Sequence, residues 1–283
     1  MSALLWFTLL AVIGITVAAF AIYKKRHLTE LSTWLVFYLF VTGVTWLGEF
    51  TVLGLFDSYA YKPGVFESPW AENLAGHLIL NSTLWPGAAM AVVAFRLGYG
   101  WMAVITAAFL LMEYLFLKAG LYEQHWWRYY MTAAAVMLSL VISKKWFPFM
   151  DKTRHGLPRF VTLSLAAIFI IHLPIPLLLL YGKQYYYVDF ALDMYRSSTI
   201  FILFYHVVEA AVVMAFFFLG KWYWKLAPYV ISFGCQIFLA SRGILIIQYG
   251  WSLTYTLLIY VVTLTLCLLM EKYTLRPPAS GGR

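Results

Sequence analysis

Apolar runs of about twenty residues, parted by short polar clusters, recur along the whole of this chain, and that is the length at which an α-helix crosses the hydrocarbon core of a bilayer. In lipid the backbone must satisfy its own hydrogen bonds, so only helices and closed barrels span. A barrel would show segments of about ten residues with alternating polarity, and stretches such as 133–143 and 200–220 do not alternate. The fold expected is therefore all-α: a polytopic bundle forming one transmembrane domain over residues 1–283. Composition excludes a soluble alternative. Charged residues make up 11% of the chain and hydrophobic ones 63%, whereas soluble domains carry about a quarter charged.

Nine spans are predicted, at 2–23, 33–56, 77–96, 100–121, 129–147, 159–181, 197–219, 226–247 and 251–270. Basic residues mark the cytoplasmic side of such proteins. With the amino terminus outside and the carboxy terminus cytoplasmic, fourteen Lys and Arg fall inside, at 24–26, 96, 144–159, 221–225 and 272–283. Only Lys62, Arg128, Lys183 and Arg196 fall outside. The net charge of +8 is thus a topology signal and calls for no nucleic-acid partner. Ala19-Phe20-Ala21 imitates a signal-peptide cleavage site, but Lys24-Lys25-Arg26 follow the apolar stretch, the charge order of an uncleaved helix. Trp and Tyr crowd the predicted boundaries, as aromatic belts do. Cys235 and Cys267 sit in apolar runs without metal-ligand spacing and read as packing residues. No internal repeat is legible: Tyr99-Gly100-Trp101 recurs as Tyr249-Gly250-Trp251, but the copies fall on opposite faces.

Ionisable groups within spans are costly and usually face the interior of the bundle. Here they are Glu49, Glu113, His172, His206, Glu209 and Arg242, with His77 and Asn81 one turn apart at the start of the third span. Glu209 lies near the midplane and the rest in the outer half, which predicts one polar cavity opening outward and narrowing toward Glu209. Trp85-Pro86-Gly87 and His172-Leu173-Pro174-Ile175-Pro176 place kinks or unwound turns in that half. A structural reading competes: Arg242 paired with Glu49, Glu113 or Glu209 would simply hold helices together. His206 and Glu209 share a helix face. A metal there would need ligands such as His77, Glu113 and His172, a set with no standard spacing, so no metal is assigned and no cofactor is named. The external segment 57–76 is rich in turns, with Ser68-Pro69 as a helix start, and is expected as a lid or an interfacial connector.

Residues from 55 to 147 resemble an uncharacterised family of small membrane proteins from spore-forming bacilli. The resemblance runs through Tyr61, Pro63, Phe66, Asn73-Leu74, Pro86, Glu113, Leu121-Tyr122, Trp126-Trp127 and Tyr129. It implies a bacterial plasma membrane and no particular reaction. In that family an acid follows the fourth-helix glutamate by one turn, where this chain has Leu117.

Three functions fit these residues. The first is binding or translocation of a small solute or ion through the outward cavity, with a carboxylate or His206 carrying protons. The second is an intramembrane enzyme acting on a lipid or isoprenoid, with His and Glu as acid and base. The third is an assembly or sensory subunit that contacts another membrane protein through its external aromatic loops.

Overall fold

The computed structural model describes residues 2–276. Arg283, counted above among the inner basic residues, lies outside the described residues. The helices are α1 (Ala3–Lys25), α2 (Leu31–Glu49), α3 (Pro69–Ala94), α4 (Tyr99–Lys118), α5 (Tyr129–Lys152), α6 (Gly156–His172), α7 (Pro174–Leu180), α8 (Met194–Phe217), α9 (Ala227–Ser241) and α10 (Leu253–Tyr273). A π-helical turn, Phe50–Leu55, continues α2, and a 3₁₀ turn, Trp222–Leu226, leads into α9. Among the described residues eight helices are long and apolar enough to cross a membrane, α6 and α7 counting together as Gly156–Leu180. The chain is a polytopic helical membrane protein.

Three expectations change. Helix α3 starts at Pro69, not at 77: Ser68 Oγ accepts from Ala71 N at 3.3 Å and proline stands at the first helical position, so the helix begins well before its apolar run. The eighth span stops at Ser241 because Gly243 takes a positive φ of 67° and turns the chain into a strand. The helical class is therefore supplemented by four strands of three residues. Strands β1 (Tyr59–Tyr61) and β2 (Tyr122–Gln124) pair antiparallel, with Tyr61 opposite Tyr122. Strands β3 (Gln184–Tyr186) and β4 (Leu245–Ile247) pair likewise.

The one domain expected over the chain divides into two compact units, Met1–Lys152 and Thr153–Arg283. They also carry a repeat that the sequence hides. Leaving out α1, each unit runs helix, strand, helix, helix, strand, helix, and in each the two strands pair. Local chemistry matches position for position. Tyr61 N donates to Asn73 Oδ1 and Tyr186 N to Ser198 Oγ, both across twelve residues. Ser68 caps α3 and Asp193 caps α8, each accepting an amide three residues on. Trp127 Nε1 donates to Thr132 Oγ1, and Trp251 Nε1 to Thr256 Oγ1, both across five residues. Gly120 and Gly243, at φ 70° and 67°, close α4 and α9 with the same three backbone bonds. The expectation of no repeat is overturned. What recurs is turn and capping chemistry, in which Asn and Ser, or Ser and Asp, do one job, so the lettering diverges while the hydrogen bonds persist.

In the first unit α1 packs on α3 through small residues, the usual contact where lipid supplies no hydrophobic drive between helices. A Cβ on Gly14 would stand 2.5 Å from Thr83 O, and one on Gly87 would strike the Gly14 carbonyl. Gly14→Ala is expected to lower stability by about 1–3 kcal/mol, the usual cost of overpacking, read as an earlier melting transition in nanodiscs. Pro86 lies inside α3 without breaking it. Proline has no N–H to bond the carbonyl four residues back, and the Tyr38 hydroxyl donates to that freed Ser82 oxygen at 2.5 Å. Pro174 does interrupt its helix, separating α6 from α7 at Leu173.

Each unit has a basic end away from its strands. In the first, Lys144 Nζ donates to Leu97 O in the α3–α4 turn and sits 5.1 Å from the Tyr99 ring. In the second, Arg159 at the start of α6 pairs with Glu271 at the end of α10 at 3.3 Å, and Lys225 reaches the same carboxylate at 3.4 Å.

Candidate functional site

Helix α2, the π turn that follows it, β1, α3, α4, β2 and α5 enclose a cavity of about 240 Å³ in the first unit. Glu49 closes α2 just before the π turn, a local widening that often marks functional positions in helices. It is 8% exposed. The side chains of Tyr59, Tyr61 and Asn81 lie against its carboxylate, while Oε1 has no hydrogen-bond partner among the described residues. Glu113 enters from α4. Its Oε1 accepts from Gln124 Nε2 of β2 at 2.7 Å and the Thr132 side chain lies against the carboxylate, while Oε2 has no hydrogen-bond partner among the described residues. Asn81 completes the polar lining. Its Nδ2 meets His77 Nδ1 at 3.2 Å and its Oδ1 has no partner among the described residues. Buried polar atoms are paired in the great majority of native proteins; other unpaired buried atoms occur in the described residues, Glu209 Oε2 of the second unit among them, but here three acceptors gather around one cavity.

The walls are aromatic: Tyr59, Tyr61 and Tyr122 from the paired strands, and Trp85, Phe109 and Trp127 around them. Strand alternation decides which side chains face the cavity. Tyr59 and Tyr61 stand on one face of β1, with Tyr122 opposite Tyr61. Burial first, and then the charge of Glu49, hold the phenols of Tyr59 and Tyr61 well above the usual tyrosine range. Burial does the same to Tyr122. All three therefore remain neutral hydroxyl donors through the physiological pH range.

The other sequence-predicted residues belong to the second unit. His172 Nδ1 meets His206 Nδ1 at 3.0 Å, and His206 Nε2 meets the Tyr260 hydroxyl at 3.1 Å. Gln236 Nε2 donates to the same hydroxyl at 2.9 Å, while Gln236 Oε1 accepts from Tyr186 at 3.1 Å. The Tyr260 hydroxyl thus links Gln236 to His206 Nε2, and His206 Nδ1 links on to His172. Glu209 accepts from Ser232 at 2.5 Å and lies 3.9 Å from His206 Nε2.

The residues proposed to line one cavity thus fall into two sets. Glu49, His77, Asn81 and Glu113 meet in the first unit; His172, His206 and Glu209 meet in the second. Arg242 joins neither. It caps α9 and is exposed, its guanidinium 5.3 Å from the Phe238 ring, because the helix ends before reaching it. Among the described residues no three His, Cys, Asp or Glu side chains are placed to hold a metal. His77 and Asn81 lie in the third and fourth turns of α3, not at its start, since the helix begins at Pro69.

The repeat explains the difference between the sets. Asn81 stands as far beyond Asn73 as His206 beyond Ser198, and Glu113 as far before Gly120 as Gln236 before Gly243. His206 and Gln236 therefore occupy the positions of Asn81 and Glu113, and both bond to the Tyr260 hydroxyl. Tyr260 stands four residues after Thr256; four after Thr132 stands Val136, a far smaller side chain. In the second unit the polar positions are bridged by a phenol of the protein itself. Tyr260→Phe leaves buried His206 and Gln236 each one bond short and is expected to cost about 1–3 kcal/mol, measured by thermal unfolding.

Sequence reading named Tyr61 and Tyr122 only through the family resemblance, with no place in a site, and missed Tyr59, Gln124, Gln236 and Tyr260. The one available signal was the alternation Tyr59-Ala60-Tyr61 near Glu49, too short to stand out from turn-rich surroundings. No family model, curated protein or solved structure matches the chain.

Proposed function

We propose that the first unit binds a small solute in its acid-lined cavity and that the protein moves that solute across the membrane, with Glu49 and Glu113 as the groups that exchange protons or solute. One observation carries this reading: Glu49 Oε1, Asn81 Oδ1 and Glu113 Oε2 are buried, without a hydrogen-bond partner among the described residues, and grouped around a single cavity. Unpaired buried acceptors cost free energy, and a site that takes up a ligand recovers that cost on binding. The region that resembles the spore-former family contains Tyr61, Glu113, Tyr122 and Trp127, which line this cavity.

The proposed location is a bacterial plasma membrane, with both strand pairs outside and the basic ends inside. That arrangement needs α9 to cross. Its 15 residues span about 22 Å, and the preceding 3₁₀ turn adds about 10 Å, close to the hydrocarbon thickness of about 30 Å. The counterpart of α9 in the repeat, α4, is long enough by itself.

Proteoliposomes challenged with small amines, amino acids, organic acids and sugars on a solid-supported membrane test the proposal. A substrate-dependent current is expected from the native protein, reduced at least tenfold in the Glu49→Gln/Glu113→Gln double variant. A current that survives both substitutions overturns it.

A further inference from the structure

Building on the cavity reading above, we infer that the ligand is a primary ammonium ion carried on a compact apolar or aromatic body. The three unpartnered atoms, Glu49 Oε1, Asn81 Oδ1 and Glu113 Oε2, are all acceptors. Two belong to carboxylates and one to an amide, and the Asn81 amino group is already engaged with His77. The Tyr59 and Tyr61 hydroxyls direct their protons at the Glu49 carboxylate, so the acceptors left open call for a ligand that donates. An –NH₃⁺ group presents three N–H donors and one positive charge, which matches three acceptors of which two belong to acids. Glu49, Asn81 and Glu113 are at most 8% exposed, so they form a built site, unlike a surface cluster of acids.

The rest of the cavity describes the rest of the ligand. Tyr59, Tyr61, Tyr122, Trp85 and Trp127 offer ring faces and edges beside the acids, a setting that attracts cations and apolar groups alike. An apolar cavity of about 150 Å³ takes up benzene, so about 240 Å³ holds a molecule of roughly ten heavy atoms. The second unit supplies an internal precedent: a ring bearing a polar head, Tyr260, bridges His206 and Gln236, the counterparts of Asn81 and Glu113. Quaternary ammonium ions carry the charge without the donors, and carboxylates carry the wrong sign; both are excluded by the acceptor set.

The test is calorimetric titration of the full-length protein in nanodiscs with 2-phenylethylammonium and three analogues: its N,N,N-trimethyl derivative, 2-phenylethanol and 3-phenylpropionate. Saturable binding of the primary ammonium is expected, at least tenfold tighter than any analogue. Glu49→Gln and Glu113→Gln should each weaken it tenfold or more while leaving the protein monodisperse. Should 2-phenylethanol or 3-phenylpropionate bind as tightly as the ammonium, the ammonium assignment falls and the cavity reading stands. Equal binding of the trimethyl ion overturns the donor argument. If no probe binds, the ammonium assignment falls, and the current measurement decides the cavity reading separately.

Discussion

Replacing Glu72 with alanine is expected to free the segment between β1 and α3 and to lower stability by about 1.5–3 kcal/mol, the usual worth of hydrogen bonds to a charged group. Glu72 is 7% exposed, and its carboxylate accepts the backbone N–H groups of Gly64, Val65 and Phe66 together. Gly64 has φ 74°, which lets consecutive amides turn inward as a nest around an anion. The residue also sits in the first turn of α3, where the helix dipole favours a negative charge. With alanine there, three N–H groups lose their acceptor at once. Glu72→Gln keeps one carbonyl oxygen and loses the charge, so a smaller loss is expected. Chymotrypsin cleavage after Phe66, slow in the native protein, should accelerate in Glu72→Ala ahead of global melting. Unchanged cleavage and melting would mean that other contacts hold the segment. The lid expected over residues 57–76 is thus a tied strap: Tyr61 N is bonded to Asn73, Lys62 N to Leu121 O, and Lys62 Nζ to Glu123 at 2.5 Å.

That strap shows where sequence reading stops. The helices were legible because apolar periods of about twenty residues are dictated by the bilayer, and the Ser68-Pro69 start because capping is local in sequence. The role of Glu72 was not legible, since nothing near it states that three amides will converge on its carboxylate. The strands escaped for a similar reason. Tyr59–Tyr61 and Tyr122–Gln124 are three residues each and far apart in the chain, so neither shows a period until the other is beside it.

The acids were found, and their grouping was not. Counting depth along each span placed Glu49, Glu113, His206 and Arg242 at one level, but depth says nothing of which face a residue takes or which unit it joins. Arg242 illustrates the first failure, since a helix that ends six residues earlier than expected, at Ser241, leaves the guanidinium exposed. His206 and Glu209 illustrate the second: a shared face brought them close, at 3.9 Å, yet the bonds of His206 go to His172 and Tyr260 and that of Glu209 to Ser232. The repeat would have sorted both sets. It lies in spacings such as Trp127 to Thr132 and Trp251 to Thr256, which become a signal only once the hydrogen bond between their ends is known.

Filling the cavity without touching a charge separates space from electrostatics. Gly48 is exposed at the open side of the cavity beside Glu49, and a Cβ added there meets nothing within 4 Å. Gly48→Phe should place its ring in that space. The helix itself gains, because glycine inside a helix costs about 1 kcal/mol relative to alanine and phenylalanine recovers part of this. Melting is therefore expected to stay within about 1 kcal/mol of native, the margin of a substitution that breaks no contact. Ligand binding should fall at least a hundredfold. The loss must come from volume, since Glu49, Asn81 and Glu113 all remain and no hydrogen bond is removed. Val136→Tyr is the companion experiment, planting a phenol where the second unit has Tyr260. If solute-dependent current persists at native strength in Gly48→Phe with native melting, the solute passes somewhere other than between the two acids, and the cavity of the first unit is a packing defect rather than a site.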